Sequence, residues 1–153
     1  MDDDYVELRV RAVRIEEGEP TAVLEDPETH RRLEIPMGPF EASAVILELE
    51  GIVPPRPLTH DLLAQIFDEA GFRLEGVELF GEGGPRALLT YLKGSVRAEK
   101  DVRPSDALAL ALRLGSPIIA RSSMLGRAAG RTPRIWRRKA RVIDLGGRRA
   151  ASQ

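Results

Sequence analysis

Near the start of the chain, hydrophobic and polar residues alternate. In residues 5–15, Val6, Leu8, Val10 and Ala12 fall on one face and Glu7, Arg9 and Arg11 on the other, which predicts a half-buried strand. The phase slips after Ala12, where Val13 and Ile15 take over the apolar positions, so a bulge or strong twist is expected near Ala12. Residues 21–25 and 31–35 read as two further strands, separated by Asp26, Pro27, Glu28 and Thr29, which have the chemistry of a hairpin turn. Gly38 and Pro39 break the pattern, and the fixed φ of Pro39 suits the first position of a helix over residues 40–49 that Gly51 ends. Val53-Pro54-Pro55-Arg56-Pro57 cannot be helical and forms a stiff connector to a second helix over residues 59–70, stopped by Gly71. Strands follow at 73–80, 86–93 and 96–102, the first two joined by a Gly81-Glu82-Gly83-Gly84-Pro85 turn. Pro104 opens a third helix over 105–114, a short apolar strand covers 117–120, and residues 140–145 alternate enough to add one more strand.

This order predicts an α+β fold: mainly antiparallel strands in two groups, with three principal helices, rather than the strict alternation of a doubly wound parallel sheet. A length of 153 residues with 42% hydrophobic content supports one core and not two. The expected organisation is one domain over residues 1–125 and a basic C-terminal extension over 126–153. The absence of cysteine excludes disulfides, thiolate metal sites and cysteine nucleophiles. No stretch approaches the roughly 20 apolar residues that span a bilayer, and Met1-Asp2-Asp3-Asp4 is not a secretory leader, so a cytoplasmic protein without a membrane partner is expected.

The net charge of −1 hides a polar molecule: residues 1–112 carry 12 basic against 23 acidic side chains, and residues 113–153 carry 11 basic ones against the single Asp144. Coating of nucleic acid by the whole surface is therefore not expected. The extension is different, because Arg134, Trp136, Arg137, Arg138 and Lys139 combine phosphate-seeking cations with one stacking ring. It suits a nucleic-acid-binding arm, or an arm folded back on the acidic body by charge attraction.

Two segments echo each other. Arg56-Pro57-Leu58-Thr59-His60-Asp61 and Arg103-Pro104-Ser105-Asp106 each place Arg-Pro, a hydroxyl residue and an Asp at the start of an apolar helix. Thr59 and Ser105 suit N-caps or near-caps, and Asp61 and Asp106 meet the positive end of the helix dipole, so capping alone would account for them. Arg56 and Arg103 go beyond capping, toward ion pairs with carboxylates or a fork for phosphate. His60 suits a general base, a metal ligand or a solvated side chain, while Asp61, Asp101 and Asp106 offer the hard oxygen ligands that Mg²⁺ or Mn²⁺ accepts. Glu41 is expected in the first turn of its helix, the alternative being that it joins a cleft formed by these helix starts, and His30 is expected at a solvated hairpin edge. Residues 107–112 are apolar almost all round, so the third helix should be buried on more than one side, by the core or by a second subunit.

Arg56-Pro57-Leu58-Thr59-His60-Asp61-Leu62-Leu63 together with Asp101-Val102-Arg103-Pro104-Ser105-Asp106-Ala107-Leu108-Ala109-Leu110-Ala111-Leu112-Arg113 closely resembles the bifunctional nuclease (DNase and RNase) domain family. Ile35-Pro36-Met37-Gly38-Pro39-Phe40-Glu41-Ala42 resembles the strand-to-helix junction of that family. The resemblance covers about residues 7–125 and implies metal-assisted hydrolysis of DNA or RNA, and with the third helix it implies a homo-oligomer. On that reading Asp61, Asp101 and Asp106 hold Mg²⁺ or Mn²⁺, His60 activates water or protonates the leaving oxygen, and Arg56 and Arg103 neutralise phosphate. All of it requires both Arg-Pro junctions to face one cleft. The alternative is a non-catalytic binding or regulatory module in which the same residues cap helices, while the basic extension engages nucleic acid or a protein.

Overall fold

The computed structural model describes residues 4–81 and 84–126, and the backbone of 141–144. The expected arm residues Arg134, Trp136, Arg137, Arg138 and Lys139 lie outside the described residues.

Strands β1 (Tyr5–Glu16), β2 (Glu19–Glu25) and β3 (Arg32–Pro36) form the first antiparallel meander. Glu17 and Gly18 turn β1 into β2 with φ of 51° and 81°, the doubly left-handed two-residue loop whose twist matches that of its strands. The β1–β2 register shifts between Val10 and Ala12, which places a bulge at the point where the alternation changes phase. Asp26 organises the β2–β3 turn by accepting from the Glu28 N–H (2.9 Å) and the Thr29 hydroxyl (2.7 Å). These bonds hold its carboxyl below the ordinary range, the Thr29 hydroxyl contributing most.

Helix α1 (Pro39–Glu50) ends where Gly51 turns left-handed (φ 63°) and donates to the Glu48 and Leu47 carbonyls. The proline-rich connector leads to α2 (Thr59–Glu69). A second antiparallel meander follows, built from β4 (Arg73–Phe80), β5 (Arg86–Lys93) and β6 (Val96–Val102), then α3 (Pro104–Leu114) and β7 (Ile118–Arg121). The two expected groups of strands are joined by β7, which pairs antiparallel with β1 and parallel with β4. One sheet results, in the order β3-β2-β1-β7-β4-β5-β6, and β8 (Arg141–Asp144) adds to β1 opposite residues 12–15. The strand β6 lies at the edge, with Arg97, Glu99, Lys100 and Asp101 all exposed.

Helix α3 packs against α1, α2, β4 and β5. Its run Ala107, Leu108, Ala109, Leu110 and Ala111 is at most 2% exposed. An all-round apolar helix is thus fully used inside the chain, and α3 needs no second subunit to cover it. Alanines on alternate positions let its neighbours approach closely. Facing it, Val77 and Leu79 of β4 and Ala87 and Leu89 of β5 extend the core, which continues through Val45 of α1 into Leu24 and Ile35.

Beyond β7, Arg31 donates to the carbonyls of Ser122 (2.8 Å), Leu125 (2.8 Å) and Gly126 (3.2 Å), fastening this segment to the β2–β3 hairpin. Nearby, burial alone would push the Glu25 carboxyl up, yet His30, Arg32 and Arg11 around it bring it below the ordinary value. His30 is exposed as expected, but its Nδ1 lies 3.0 Å from Glu25.

Truncation of the central helix should show how far the core depends on it. Leu108→Ala is expected to lower the unfolding free energy by about 2–5 kcal/mol in urea titrations, because α3 is enclosed by other elements and cannot collapse around the void.

Candidate functional site

The N-caps of α2 and α3 are Leu58 and Arg103, one position ahead of the hydroxyl and proline residues that follow them, and neither Thr59 nor Ser105 makes a side-chain capping bond. The third helical position does the work at α2. Asp61 reaches back to accept from the Leu58 N–H at 3.0 Å, and this bond turns its carboxylate inward. At α3 the equivalent Asp106 instead takes the Arg103 guanidinium through two contacts, 2.8 and 3.3 Å.

The two junctions do not share a cleft. Asp61 lies beside Arg113 in the last turn of α3 (3.2 Å), whereas Arg103 stands at the first turn of the same helix. Ten residues of helix separate Arg103 from Arg113, a span of about 15 Å. Arg103 also donates to Glu41 of α1 at 3.1 Å, so Glu41 belongs to the α3 start. The Glu41 carboxylate folds over Gly38, into the space a Cβ would fill. Asp101, on edge strand β6, pairs with Arg86. Asp61, Asp101 and Asp106 therefore do not form one ligand set among the described residues, and Arg103 has its fork filled by carboxylates. Arg56 is exposed in the connector.

What Asp61 does join is a different group. Glu48 on α1, and His60 and Asp61 on α2, place one potential ligand atom each within 4.8 Å of one another. His60 Nε2 lies 2.8 Å from Glu48 Oε1 and 3.5 Å from Asp61 Oδ1, and its side chain is only 10% exposed, so it is enclosed rather than solvated. A carboxylate only accepts, so in the contact with Glu48 it is the Nε2–H of His60 that donates. Burial pushes the Asp61 carboxyl up, but the Leu58 N–H, the neighbouring His60 and the Arg113 guanidinium overcome it and hold the group below its ordinary value. Arg113 Nε also lies 3.8 Å from Glu48 Oε1, so one guanidinium touches both acids.

Three of these side chains border a cleft of about 310 Å³, and His60 is outside its lining. Glu48, Asp61 and Arg113 supply its charged lining, while Pro54, Pro55 and Pro57 make one wall from the stiff connector. The sequence pattern singled out His60 and Asp61 but not Glu48 or Arg113. Arg113 had a signal: it is the one charge inside the otherwise apolar run that continues to Leu114, a place that calls for a partner. Glu48 had none, since an acid near the end of a surface helix is ordinary.

A family model of the bifunctional nuclease domain matches residues 22–132. The chain is 36% identical over 126 residues to each of two proteins of Mycobacterium tuberculosis, the uncharacterized protein Rv1829 of strain H37Rv and the uncharacterized protein MT1877 of strain CDC 1551. Each match covers 80% of this chain and 75% of the relative.

A carboxyl whose folded pKa lies below its unfolded value stabilises the fold above the unfolded value and loses that contribution as pH falls through the folded one. Stability should therefore decline below about pH 4. Asp61→Asn is expected to cost about 1–3 kcal/mol at pH 7 and to flatten the acid limb of the stability profile, read by urea unfolding from pH 7 down to pH 3.

Proposed function

Because the chain belongs to the bifunctional nuclease domain family, we propose that it hydrolyses phosphodiester bonds of DNA or RNA at the cleft lined by Glu48, Asp61 and Arg113, with His60 held against the two carboxylates. The observation that carries this reading is the convergence of an imidazole and two carboxylates beside an open cleft. Two oxygens and a nitrogen, with no sulfur, fit a hard divalent cation such as Mg²⁺ or Mn²⁺, and the imidazole favours Mn²⁺. Glu48, His60 and Asp61 are the residues that would hold it. Such a cation supplies charge offset at the phosphate oxygens and acidifies water.

The remaining chemistry belongs to the chain itself. Asp61 stays ionised close to neutral pH because the Leu58 N–H and Arg113 hold its charge. Glu48 fixes the imidazole ring of His60. Arg113, 42% exposed, carries the positive charge of the cleft and is the group placed to meet a phosphate, a role that Arg103 cannot take while Asp106 and Glu41 fill its fork. The proline wall keeps the cleft open without an ordering cost on binding. Arg134, Trp136, Arg137, Arg138 and Lys139 add, by composition, phosphate contacts and a stacking ring for a nucleic-acid partner.

The second reading, a non-catalytic binding or regulatory module, is favoured by the same ion pairs seen as braces: Arg113 ties α3 to α1 and α2, and Arg103 ties it to α1 again. Cleavage separates the two. With Mn²⁺ or Mg²⁺, purified protein should cut single-stranded DNA or RNA and stop when EDTA is added. His60→Ala and Glu48→Gln should each slow cleavage by about 10²-fold or more while the protein stays folded by circular dichroism. Full cleavage by both variants would overturn the site, and salt-sensitive binding without any cleavage by the wild type would establish the second reading.

Replacing Arg137, Arg138 and Lys139 together by alanine is expected to weaken nucleic-acid binding and to reduce the slope of log affinity against log salt by about 2 for a single strand. Fluorescence anisotropy over a salt series measures it.

A further inference from the structure

Helix α2 is amphipathic in the inverse sense. It turns His60, Asp61 and Ala64 toward the rest of the molecule, while Leu62, Leu63 and Ile66 face outward at 48%, 40% and 48% exposure. One exposed leucine is ordinary on a protein surface, but a contiguous aliphatic stripe over successive turns, headed by the exposed Leu58, marks a face that associates. Charges bracket the stripe in an ordered way. Exposed Arg56 precedes it and exposed Glu69, three residues after Ile66 and seven after Leu62, follows it on the same face, and neither forms an ion pair among the described residues.

We propose that this face is the interface of a two-fold dimer, in which α2 of one copy lies antiparallel across α2 of a second copy of this chain. The charge order identifies the occupant. Under a two-fold axis the stripe meets itself, and the Arg56 end of each copy lies over the Glu69 end of the other, so the two symmetry-related pairs form at once. The lengths agree: with the axis beside Leu63, Glu69 lies about 9 Å along the helix on one side and Thr59 about 6 Å on the other. Arg56, three residues before Thr59, covers the difference with its long side chain. Antiparallel pairing also sets the two helix dipoles head to tail. The inference stands on the surface of α2 alone and does not depend on the cleft being catalytic.

Sedimentation velocity of the full chain at about 0.15 M salt tests it. A dimer is expected in the micromolar range, and Ile66→Glu or Leu62→Gln should raise its Kd by about tenfold or more, with the far-ultraviolet circular dichroism unchanged. Arg56→Glu should weaken the dimer by about two- to fivefold for each pair lost, and adding Glu69→Arg should restore it. A chain that remains monomeric up to about 100 μM, a dimer indifferent to both apolar substitutions, or a charge exchange that fails to restore association would each overturn the proposal.

Discussion

Helix α3 runs through the middle of the molecule with an apolar body, so the only places where it can carry charge without a heavy desolvation cost are its two ends. Both ends carry an arginine, and α1 supplies an acid to each: Glu41 to Arg103 and Glu48 to Arg113. The two helices are thereby pinned side by side and in register over their length. Strands β4 and β5 of the second meander lie against α3, while α1 reaches over β1 and β2 of the first. Strand β7, inserted between β1 and β4, joins the two halves into one sheet.

The cleft is a by-product of this arrangement. Once Arg113 is fixed at the end of α3, α2 can pack beside it only by presenting something that tolerates a cation, and Asp61 with its backbone cap does so. The connector then has to cross from Gly51 to Leu58, and its prolines keep it from collapsing into the gap. An acid–imidazole group, a guanidinium and an open space thus come together from packing requirements, and family membership gives that assembly its phosphodiesterase reading.

Local pattern was enough to read the strands and helices, and even the bulge beside Ala12, since each depends on periods of two or 3.6 residues and on turn residues close in sequence. The α+β class followed directly. The meeting of distant residues was legible only in part. Asp61 and His60 drew attention through their spacing, but which ends of α1 and α3 stand next to α2 depends on the packing of a helix that is apolar on every side and so gives no preferred face. For that reason the echo between the two Arg-Pro junctions, real in sequence, corresponds to opposite ends of α3 rather than to one pocket. The outward leucines of α2 escaped notice for a related reason: periodicity locates an apolar face without saying whether the chain itself covers it.

Edge strand β6 bears on how such a molecule lives in crowded solution. Its solvent-facing row of Arg97, Glu99, Lys100 and Asp101 places a charge at nearly every step along the free border of the sheet. An incoming strand would have to strip water from those charges before it could form a single ladder bond, which makes accretion of further chains at this border unfavourable. Growth of the sheet into ribbons or fibrils is thereby blocked on that flank.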